Sequence, residues 1–293
     1  MRMRWLLGVR GAALGLMLIA AIGGPAVTAA GPVSVLYAGS LVDLMEHAVG
    51  PAFSAASGDQ FQGYGAGSGA LANQIKGNLR RADIFISAVP SVNDTLMGQA
   101  NGDWVRWYAS FARAPLVIGY NAQSQFAGDL KSSAWYGVMT RPGFRLGRTD
   151  PKLDPKGALT IQFMQKAAAY YHQPDLAERV LGPDDNPAQV FPEETLVGRL
   201  EAGQLDAGFF YSMEAVQGHI PIITPPAAIL LNAEFTVTVV RGAPNPDGAA
   251  AFVQFLLGTQ GKRLLSDGGL TVLVPKLGGD PAAVPASLRA VVH

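Results

Sequence analysis

The stretch GYGAGSGALANQI, from Gly63 to Ile75, places four glycines and one serine in seven residues and then becomes a helix-like pattern. Glycines at this density let a ligand approach the backbone closely. A helix that begins behind them offers unpaired N–H groups and the positive end of its dipole. The pattern is therefore typical of an anion site, and nucleotides, phosphate and other oxyanions all fit it.

A second Gly-Ser pair, Gly39-Ser40, follows a strand-like run at 33–37 and precedes another helical pattern. With further short strands at 61–64 and 84–86, the order strand, helix, strand, helix, strand predicts a parallel sheet wrapped by helices. Strand-to-helix loops emerge at the carboxyl ends of such strands, so Gly39-Ser40 and Gly67-Ser68 are expected at one edge. Each serine alone is typical of a helix N-cap. Together they favour a shared anion site.

A third helix start is predicted at Asp154-Pro155, after a strand at 144–147 and before a helical run at 158–171. Asp at the N-cap followed by Pro at the first helical position is a strong start signal. A later strand at 205–211 ends in Tyr211, whose phenol is expected to donate a hydrogen bond at the same edge. Three strand ends and one phenol then converge on one cleft.

The end of the chain returns to the first half of the molecule. Strands are predicted at 116–120 and 235–240 and a long helix at 249–265, with short crossing segments near Ala114 and Asn232. These patterns predict two lobes around a cleft. The first lobe is assigned to residues 31–114 plus 232–293 and the second to residues 115–231.

The N-terminus, residues 1–30, is predicted to be a secretory signal. Three arginines precede an apolar run at 12–22, and small residues at 26–30 offer a cleavage site. The apolar run is short for a membrane span. The protein is therefore expected to be exported and periplasmic or extracytoplasmic, with a retained N-terminal tether as the alternative.

Composition excludes several classes of function. The 293 residues are 49% hydrophobic and 15% charged, which is enough for well-buried cores. After the three arginines of residues 1–30 are set aside, 19 basic and 22 acidic residues remain, so no nucleic-acid partner is expected. The absence of cysteine excludes disulfides and thiolate metal sites, the four histidines lack metal-ligand spacing, and no cofactor is expected.

Several blocks of the chain resemble a known family. VLYAGSLVDLMEHAVGPAFSAASG, YGAGSGALANQIKGNLRRADIFISA and GQLDAGFFYSMEAV are similar to blocks of the extracytoplasmic molybdate/tungstate-binding proteins of ABC transporters, particularly the archaeal-type branch. The resemblance covers nearly all of the chain after residue 30, in the family's order. It implies a type II periplasmic-binding-protein fold, α/β in class, with two lobes of mainly parallel sheets around a ligand cleft.

The same resemblance implies a function and its partners. The protein would capture a molybdate- or tungstate-type tetrahedral oxyanion and deliver it to an ABC transporter permease, without enzymatic activity and as a monomer. A binding protein of this fold for sulfate, phosphate or ferric ion is the alternative. Because a protonated phosphate needs a hydrogen-bond acceptor and Asp154 is one, phosphate stays open.

Site residues can be carried over from the family one by one. Ser40 and Ser68 match its two serines, and Gly39 and Gly67 precede them. In the family, the two serines bind the oxyanion through their hydroxyl and backbone N–H groups, and the resemblance implies the same role here. Tyr211 matches a tyrosine whose hydroxyl binds the oxyanion.

Two further positions are less direct matches, and one departs from the family. Ala114 is a looser match to a backbone donor. Asp154 matches a carboxylate of the archaeal-type branch, which implies contact with the metal of the oxyanion, while capping of its own helix is the alternative. Phe210 stands where that branch has a glutamate. Phenylalanine cannot ligate, so tetrahedral recognition by hydrogen bonds is expected.

Two remaining hypotheses concern charge and a rival activity. Arg148 is a candidate to offset the charge of a dianion, with an exposed surface arginine as the alternative. The segment 65–70 satisfies G-x-G-x-x-G/A and so allows a Rossmann-type dinucleotide enzyme. That motif needs an acidic residue at the end of the second strand, and Asp83 precedes its strand instead.

Overall fold

The computed structural model describes residues 31–131 and 135–292. The predicted signal at residues 1–30 lies outside the described residues. Within the described part of the chain, no helix combines the length and the apolar character that a membrane crossing requires.

The described residues alternate between strands and helices. The strands are β1 (Pro32–Ala38), β2 (Gln60–Ala66), β3 (Ile84–Ser87), β4 (Trp107–Tyr120), β5 (Leu146–Gly147), β6 (Ala207–Tyr211), β7 (Ile222–Ile223), β8 (Asn232–Val239) and β9 (Thr271–Gly279). The α-helices are α1 (Val42–Leu44), α2 (Gly50–Ser57), α3 (Ser68–Lys76), α4 (Pro90–Asp94), α5 (Ala127–Leu130), α6 (Trp135–Met139), α7 (Pro155–Tyr170), α8 (Leu176–Leu181), α9 (Leu196–Glu201), α10 (Ser212–Gln217), α11 (Pro246–Leu257) and α12 (Thr259–Asp267). Two 3-10 turns also matter for the site, Gly39–Leu41 and Glu193–Thr195.

The strands follow the order β2-β1-β3-β8-β4-β6-β5, and β7 and β9 also pair with β4. The pairs β1–β2, β1–β3 and β5–β6 are parallel, whereas the pairs made by β4 and β8 are antiparallel. The sheets are thus mixed, and the prediction of mainly parallel sheets is wrong in that detail. The reason is that β4 and β8 pass between the two halves of the molecule in opposite directions.

Strand β4 connects the two halves. Its first part pairs with β8 and β9, and its last residues, from Leu116 to Tyr120, pair with β6. Ala114 lies opposite Ala233 in β8, at the point where β4 leaves one set of partners for the other. We keep residues 31–114 plus 232–293 and residues 115–231 as the proposed lobes 1 and 2.

Both faces of the lobe 1 sheet are covered. Val35 and Tyr37 of β1 belong to one apolar cluster with Phe53 and Phe252, whereas Leu36 packs in another cluster on the opposite face. A strand buried on both faces reads as a continuous apolar run, as VSVLY does. Because helices cover both faces of the sheet, a ligand is expected to bind at the carboxyl ends of the strands.

Some predicted elements differ from the observed ones. The single helix expected at 249–265 is broken into α11 and α12 at Gly258, whose backbone is extended. The strand expected at 116–120 begins at Trp107, and β9 was not predicted. Much of β9 is half-buried or exposed, and Val274 is 80% exposed, so its sequence lacks a clear alternation of apolar and polar residues.

Candidate functional site

Ser40 lies in the 3-10 turn directly after β1 and is buried. Its side chain does not cap a helix, so the N-cap prediction for Ser40 is wrong: the residue sits inside the first helical turn. Its Oγ has no hydrogen-bond partner among the described residues. Leaving a buried polar group unpaired costs free energy, and a ligand that accepts its hydrogen bond would remove this cost.

Ser68 is the first residue of α3, and Gly67 occupies the cap position before it. The N-cap prediction for Ser68 is therefore also wrong. Ser68 is fully buried, and its Oγ accepts a hydrogen bond of 3.1 Å from the backbone N–H of Ala88. A hydroxyl has one hydrogen to donate as well as lone pairs, so the Ser68 hydroxyl retains a donor for a ligand.

Asp154 caps α7, as predicted. Its Oδ1 accepts hydrogen bonds from the Lys156 N–H, at 2.9 Å, and from Thr149 Oγ1, at 2.8 Å, and Pro155 occupies the first turn. The capping role is thereby confirmed. The backbone N–H of Lys156 is satisfied inside the protein and is not available to an anion.

The glycine loop touches the start of α7 across the lobe boundary. The Ala70 N–H donates to the Leu153 carbonyl at 2.9 Å. A Cβ added at Gly67 would lie 2.7 Å from the Leu153 carbonyl oxygen and 3.3 Å from Asp154 Oδ2. Glycine is needed at position 67 because the backbones of the two lobes meet there. The proposed lobes are in direct backbone contact at this point.

Tyr211 ends β6 and is 1% exposed. Its hydroxyl has no hydrogen-bond partner in the described chain, as with Ser40. Burial and then the nearby carboxylates of Asp154, Glu193 and Glu214 raise the pKa of the Tyr211 phenol well above its ordinary value. The phenol therefore keeps its proton and can donate it.

A buried ion cluster that the sequence reasoning missed lies beside these residues. The fully buried Lys156 Nζ is 2.6 Å from Glu193 Oε1 and 2.8 Å from Glu214 Oε1. The second oxygen of Glu214 accepts the Tyr211 N–H at 2.7 Å. Glu214 could have been found from sequence as the third helical position after Tyr211, but no local signal marks Glu193.

The cluster has more acids than bases. Burial raises the pKa of Asp154 to about 7, with the charge of Glu193 as a further cause, and burial raises the pKa of Glu214 to about 8. Burial alone would lower the pKa of Lys156, but Glu193 and Glu214 together raise it. Lys156 therefore stays charged, and the carboxyl groups of Asp154 and Glu214 hold a proton at a higher pH than exposed carboxyl groups do.

Glu193 stands between two cavities at the lobe boundary. One, of about 290 Å³, is lined by Gly39, Ser40 and Glu214 as well as Glu193. The other, of about 380 Å³, is lined by Gly67, Asp154 and Glu193 among others. The side chain of Glu193 packs on Gly39, where an added Cβ would lie 3.0 Å from its Cγ. The Oε2 of Glu193 is buried and has no partner within the part of the chain that is described.

The carboxylates do not form a metal centre. Across residues 31–131 and 135–292, no group of three or more histidine, aspartate or glutamate side chains is arranged to hold a metal ion. The expectation that Asp154 contacts the metal of an oxyanion stays a prediction.

Arg148 is placed differently from both predictions. It is fully buried, so the alternative of an exposed surface arginine is wrong. Its guanidinium donates to the carbonyls of Pro183, at 2.7 Å, and Asp184, at 2.9 Å, and to Gln189 Oε1 at 3.1 Å. All of these bonds serve the segment 181–189, so Arg148 holds that segment, and its contribution to anion binding stays a prediction.

Phe210 and Ala114 complete the predicted set. Side chains alternate along β6, so Phe210 packs with Leu196 and Leu200 on the opposite face from the Tyr211 side chain. Ala114 is fully buried in β4. Its role as a backbone donor stays a prediction.

Comparison with known proteins places the chain in a family. Residues 33–271 match the family described as bacterial extracellular solute-binding protein. A putative ABC transporter molybdenum-binding protein of Haloferax volcanii is 34% identical over 82% of this chain and 81% of its own. The molybdate/tungstate-binding protein WtpA of Thermococcus kodakarensis is 28% identical over 80% of this chain and 78% of its own. The chain belongs to the extracellular solute-binding proteins.

A solved structure with the same architecture is the periplasmic molybdate-binding protein of Azotobacter vinelandii. It superposes with a TM-score of 0.62 at 16% identity and covers 82% of this chain and 99% of its own. At this level of identity the likeness concerns the fold, and the predicted type II periplasmic-binding-protein fold is confirmed. Membership in an exported family of binding proteins disfavours the dinucleotide-enzyme alternative.

Proposed function

We propose that the protein captures a molybdate- or tungstate-type tetrahedral oxyanion between its two lobes and delivers it to the permease of an ABC importer. It acts as an exported monomer and catalyses no reaction. The observation that carries the proposal is a pair of buried hydroxyls at the boundary, Ser40 Oγ from lobe 1 and Tyr211 OH from lobe 2, that have no partner among the residues the structure describes. The printed names of the relatives support the ligand class.

Hydrogen-bond donors come from both sides of the cleft. Ser40 and Ser68 offer hydroxyl hydrogens from lobe 1, and the protonated Tyr211 phenol offers one from lobe 2. The start of α3 adds the positive end of a nine-residue helix. A tetrahedral anion has oxygens in four directions, so one ion can accept from both lobes at once and hold them together.

The phenylalanine at position 210 supports recognition by hydrogen bonds alone. Phe210 packs in the apolar cluster with Leu196 and Leu200, and its ring centre lies 5.6 Å from the Lys156 ammonium. A phenyl ring offers no oxygen to the metal of an oxyanion. The oxygens of the ion then keep their tetrahedral arrangement and are bound as acceptors.

A ligand panel tests the proposal. Molybdate, tungstate, sulfate, phosphate and ferric citrate are added separately to the purified protein, and its melting temperature is followed. A ligand at a hundred times its dissociation constant should stabilise the folded protein by about 2.7 kcal/mol. Molybdate or tungstate is expected to give the largest rise in melting temperature.

Two variants sharpen the panel. Ser40→Ala is expected to reduce the ligand-induced shift, whereas Ser266→Ala, at an exposed position of α12, should leave it unchanged. No shift with either molybdate or tungstate contradicts the proposal. A larger shift with sulfate, phosphate or ferric citrate would assign the site to that ligand instead.

A further inference from the structure

Glu193 faces the proposed oxyanion site with an unpaired oxygen. Its Oε1 is held by the Lys156 ammonium at 2.6 Å, while its Oε2 is buried without a partner in the described ranges. The whole residue is only 5% exposed. The free oxygen therefore belongs to the lobe boundary rather than to solvent.

An ionised carboxylate and an oxyanion are both hydrogen-bond acceptors. Two buried acceptors that face each other form no hydrogen bond. When both are negatively charged, they also repel each other. The Lys156 ammonium contacts Glu193 through Oε1 and also serves Glu214 at 2.8 Å, so it donates no hydrogen to Glu193 Oε2. Contact between Glu193 Oε2 and a bound oxyanion therefore requires a hydrogen between the two oxygens.

The free hydroxyl hydrogens nearby, those of Ser40 and Tyr211, are the ones proposed to bind the ion itself, and most of the other titratable groups described around Glu193 are acids. Charged or titratable side chains reach this region from each lobe: Asp150, Asp154, Lys156, Glu201, Tyr211 and Glu214 from lobe 2, and Asp43 and Tyr64 from lobe 1. On its own turn, the neighbouring Glu194 is exposed. Arg199 of α9 lies 4.5 Å from the centre of the Phe191 ring and hydrogen-bonds Thr195.

We infer that Glu193 is a specificity-determining residue: it shares one proton with the bound oxyanion, so that capture of a fully deprotonated dianion takes up one proton from solution. This inference rests on the proposed function. No other atom is transferred, since the proton comes from water or buffer and returns there on release. An oxyanion that already carries a hydrogen would supply the shared proton itself.

The state of the neighbouring carboxyls agrees with this arrangement. Burial raises the pKa of Asp154 to about 7 and that of Glu214 to about 8, so this part of the boundary already favours bound protons near neutral pH. A bound dianion would add negative charge to this region and so favour the binding of one more proton.

The inference predicts how affinity depends on pH. If binding takes up one proton, the dissociation constant for molybdate should fall by about tenfold for each unit of decrease in pH, over the range in which the free site lacks that proton. A site that takes up no proton on binding would show a flat dependence above the range in which molybdate itself is protonated.

Calorimetric titration with molybdate measures the proton count directly. Binding heats are compared at one pH in two buffers with different heats of ionisation, and their difference gives the number of protons taken up. The wild-type protein is expected to take up about one proton. Glu193→Gln should still bind, because its amide can donate to a deprotonated oxygen, with proton uptake close to zero.

Matched variants separate this role from general effects of charge. Glu194→Gln removes the same charge from the next, exposed residue and should keep the wild-type proton count. Glu193→Asp keeps an acid at the position and should restore most of the uptake. The dependence of wild-type affinity on pH, measured alone, tests the inference even if Glu193→Gln fails to fold.

The outcomes are distinguishable. Molybdate binding with no proton uptake by the wild type overturns the inference and leaves the proposed function standing. Unchanged proton uptake by Glu193→Gln also overturns the inference. The proton taken up on binding would then be assigned to Asp154 or Glu214. A wild-type protein that binds none of the oxyanions overturns the proposed function itself.

Discussion

The two walls of the cleft are built from different chemistry. Lobe 1 presents Gly39-Ser40 and Gly67-Ser68, which are short, uncharged and backbone-rich. Lobe 2 presents charged and ionisable side chains, all of them buried: Asp154, Lys156, Glu193, Tyr211 and Glu214. The uncharged wall controls how closely the lobes approach. On our inference, the charged wall sets which protonation state of the ligand the site accepts.

The difference follows from what each wall touches. Gly67 lies against the Leu153 carbonyl with no room for a Cβ, and a Cβ added at Gly39 would lie 3.0 Å from Glu193 Cγ. Lys156, Glu193 and Glu214 bond mainly to each other within lobe 2. Lobe 2 therefore keeps its charge network whether or not lobe 1 is in contact.

Lys156→Met should have the largest effect, because it breaks the charged wall. It leaves Glu193 and Glu214 buried without a counterion, and removing one partner of a buried ion pair costs about 3–5 kcal/mol. Urea unfolding at pH 8.5 measures this loss. Lys152→Met, at an exposed position of the preceding loop, is the control, and an equal loss in both variants would mean that the ion cluster does not stabilise the fold.

The charged wall should also make stability depend on pH. The pKa values of Asp154 and Glu214 are raised to about 7 and about 8 in the folded protein, so between the ordinary carboxyl range and pH 8 the folded state binds more protons than the unfolded state. The stability these groups contribute is complete at acidic pH and is lost as the pH rises through 7 and 8. The expected loss between pH 5 and pH 9 is several kcal/mol.

Urea unfolding of the ligand-free protein at a series of pH values from 5 to 9 checks this dependence. Glu214→Gln should flatten the slope, whereas Glu178→Gln on the exposed side of α8 should not. A stability that rises between pH 6 and pH 8 would contradict the prediction.

Gly67→Ala perturbs the uncharged wall. The new Cβ would lie 2.7 Å from the Leu153 carbonyl oxygen, so the lobes cannot reach the same closed contact. Overpacking of this kind costs about 1–3 kcal/mol. The cost should appear as weaker oxyanion binding rather than as lower stability of the free protein, because alanine readily adopts the φ of −53° found at Gly67.

Calorimetry measures this affinity, and small-angle scattering measures closure. Gly198→Ala, where an added Cβ meets nothing within 4 Å, is the control. Undiminished affinity in Gly67→Ala would show that ligand capture does not require this contact.

Tyr211→Phe should have the smallest effect. It is expected to lower the affinity for the oxyanion without lowering the stability of the free protein. Binding should weaken by about 1 kcal/mol through loss of one donor to the ligand. The free protein should be as stable as before or slightly more so, because the Tyr211 hydroxyl has no partner among the described residues. Tyr170→Phe, on a 45% exposed side chain, serves as the control. A loss of stability without a loss of affinity would assign Tyr211 a packing role only.

Local signals predicted the parts of the site that depend on local structure. Asp154 followed by Pro155 predicted a capped helix start, and the start lies there. The two Gly-Ser loops were placed after the correct strands, although neither serine caps its helix. These features depend on a few consecutive residues, so a single segment of sequence carries the information.

Contacts between distant segments were not predictable in the same way. Glu193 reaches Lys156 across 37 residues of sequence and lies against Gly39 of the other lobe. A glutamate in a polar segment normally indicates exposure, as its neighbour Glu194 shows. Arg148 likewise looked like a surface residue and is buried because distant carbonyls satisfy its guanidinium.

The sequence by itself determined the α/β class, the family and the loops that carry the neutral donors, because strand and helix periodicity, glycine content and capping are properties of neighbouring residues. Only the tertiary structure decided the electrostatics of the site. Burial and the pairing of one lysine with two glutamates arise when α7, the 3-10 turn at Glu193 and α10 pack together. Charge in a protein site depends on what surrounds it in space, and that surrounding is assembled by the fold.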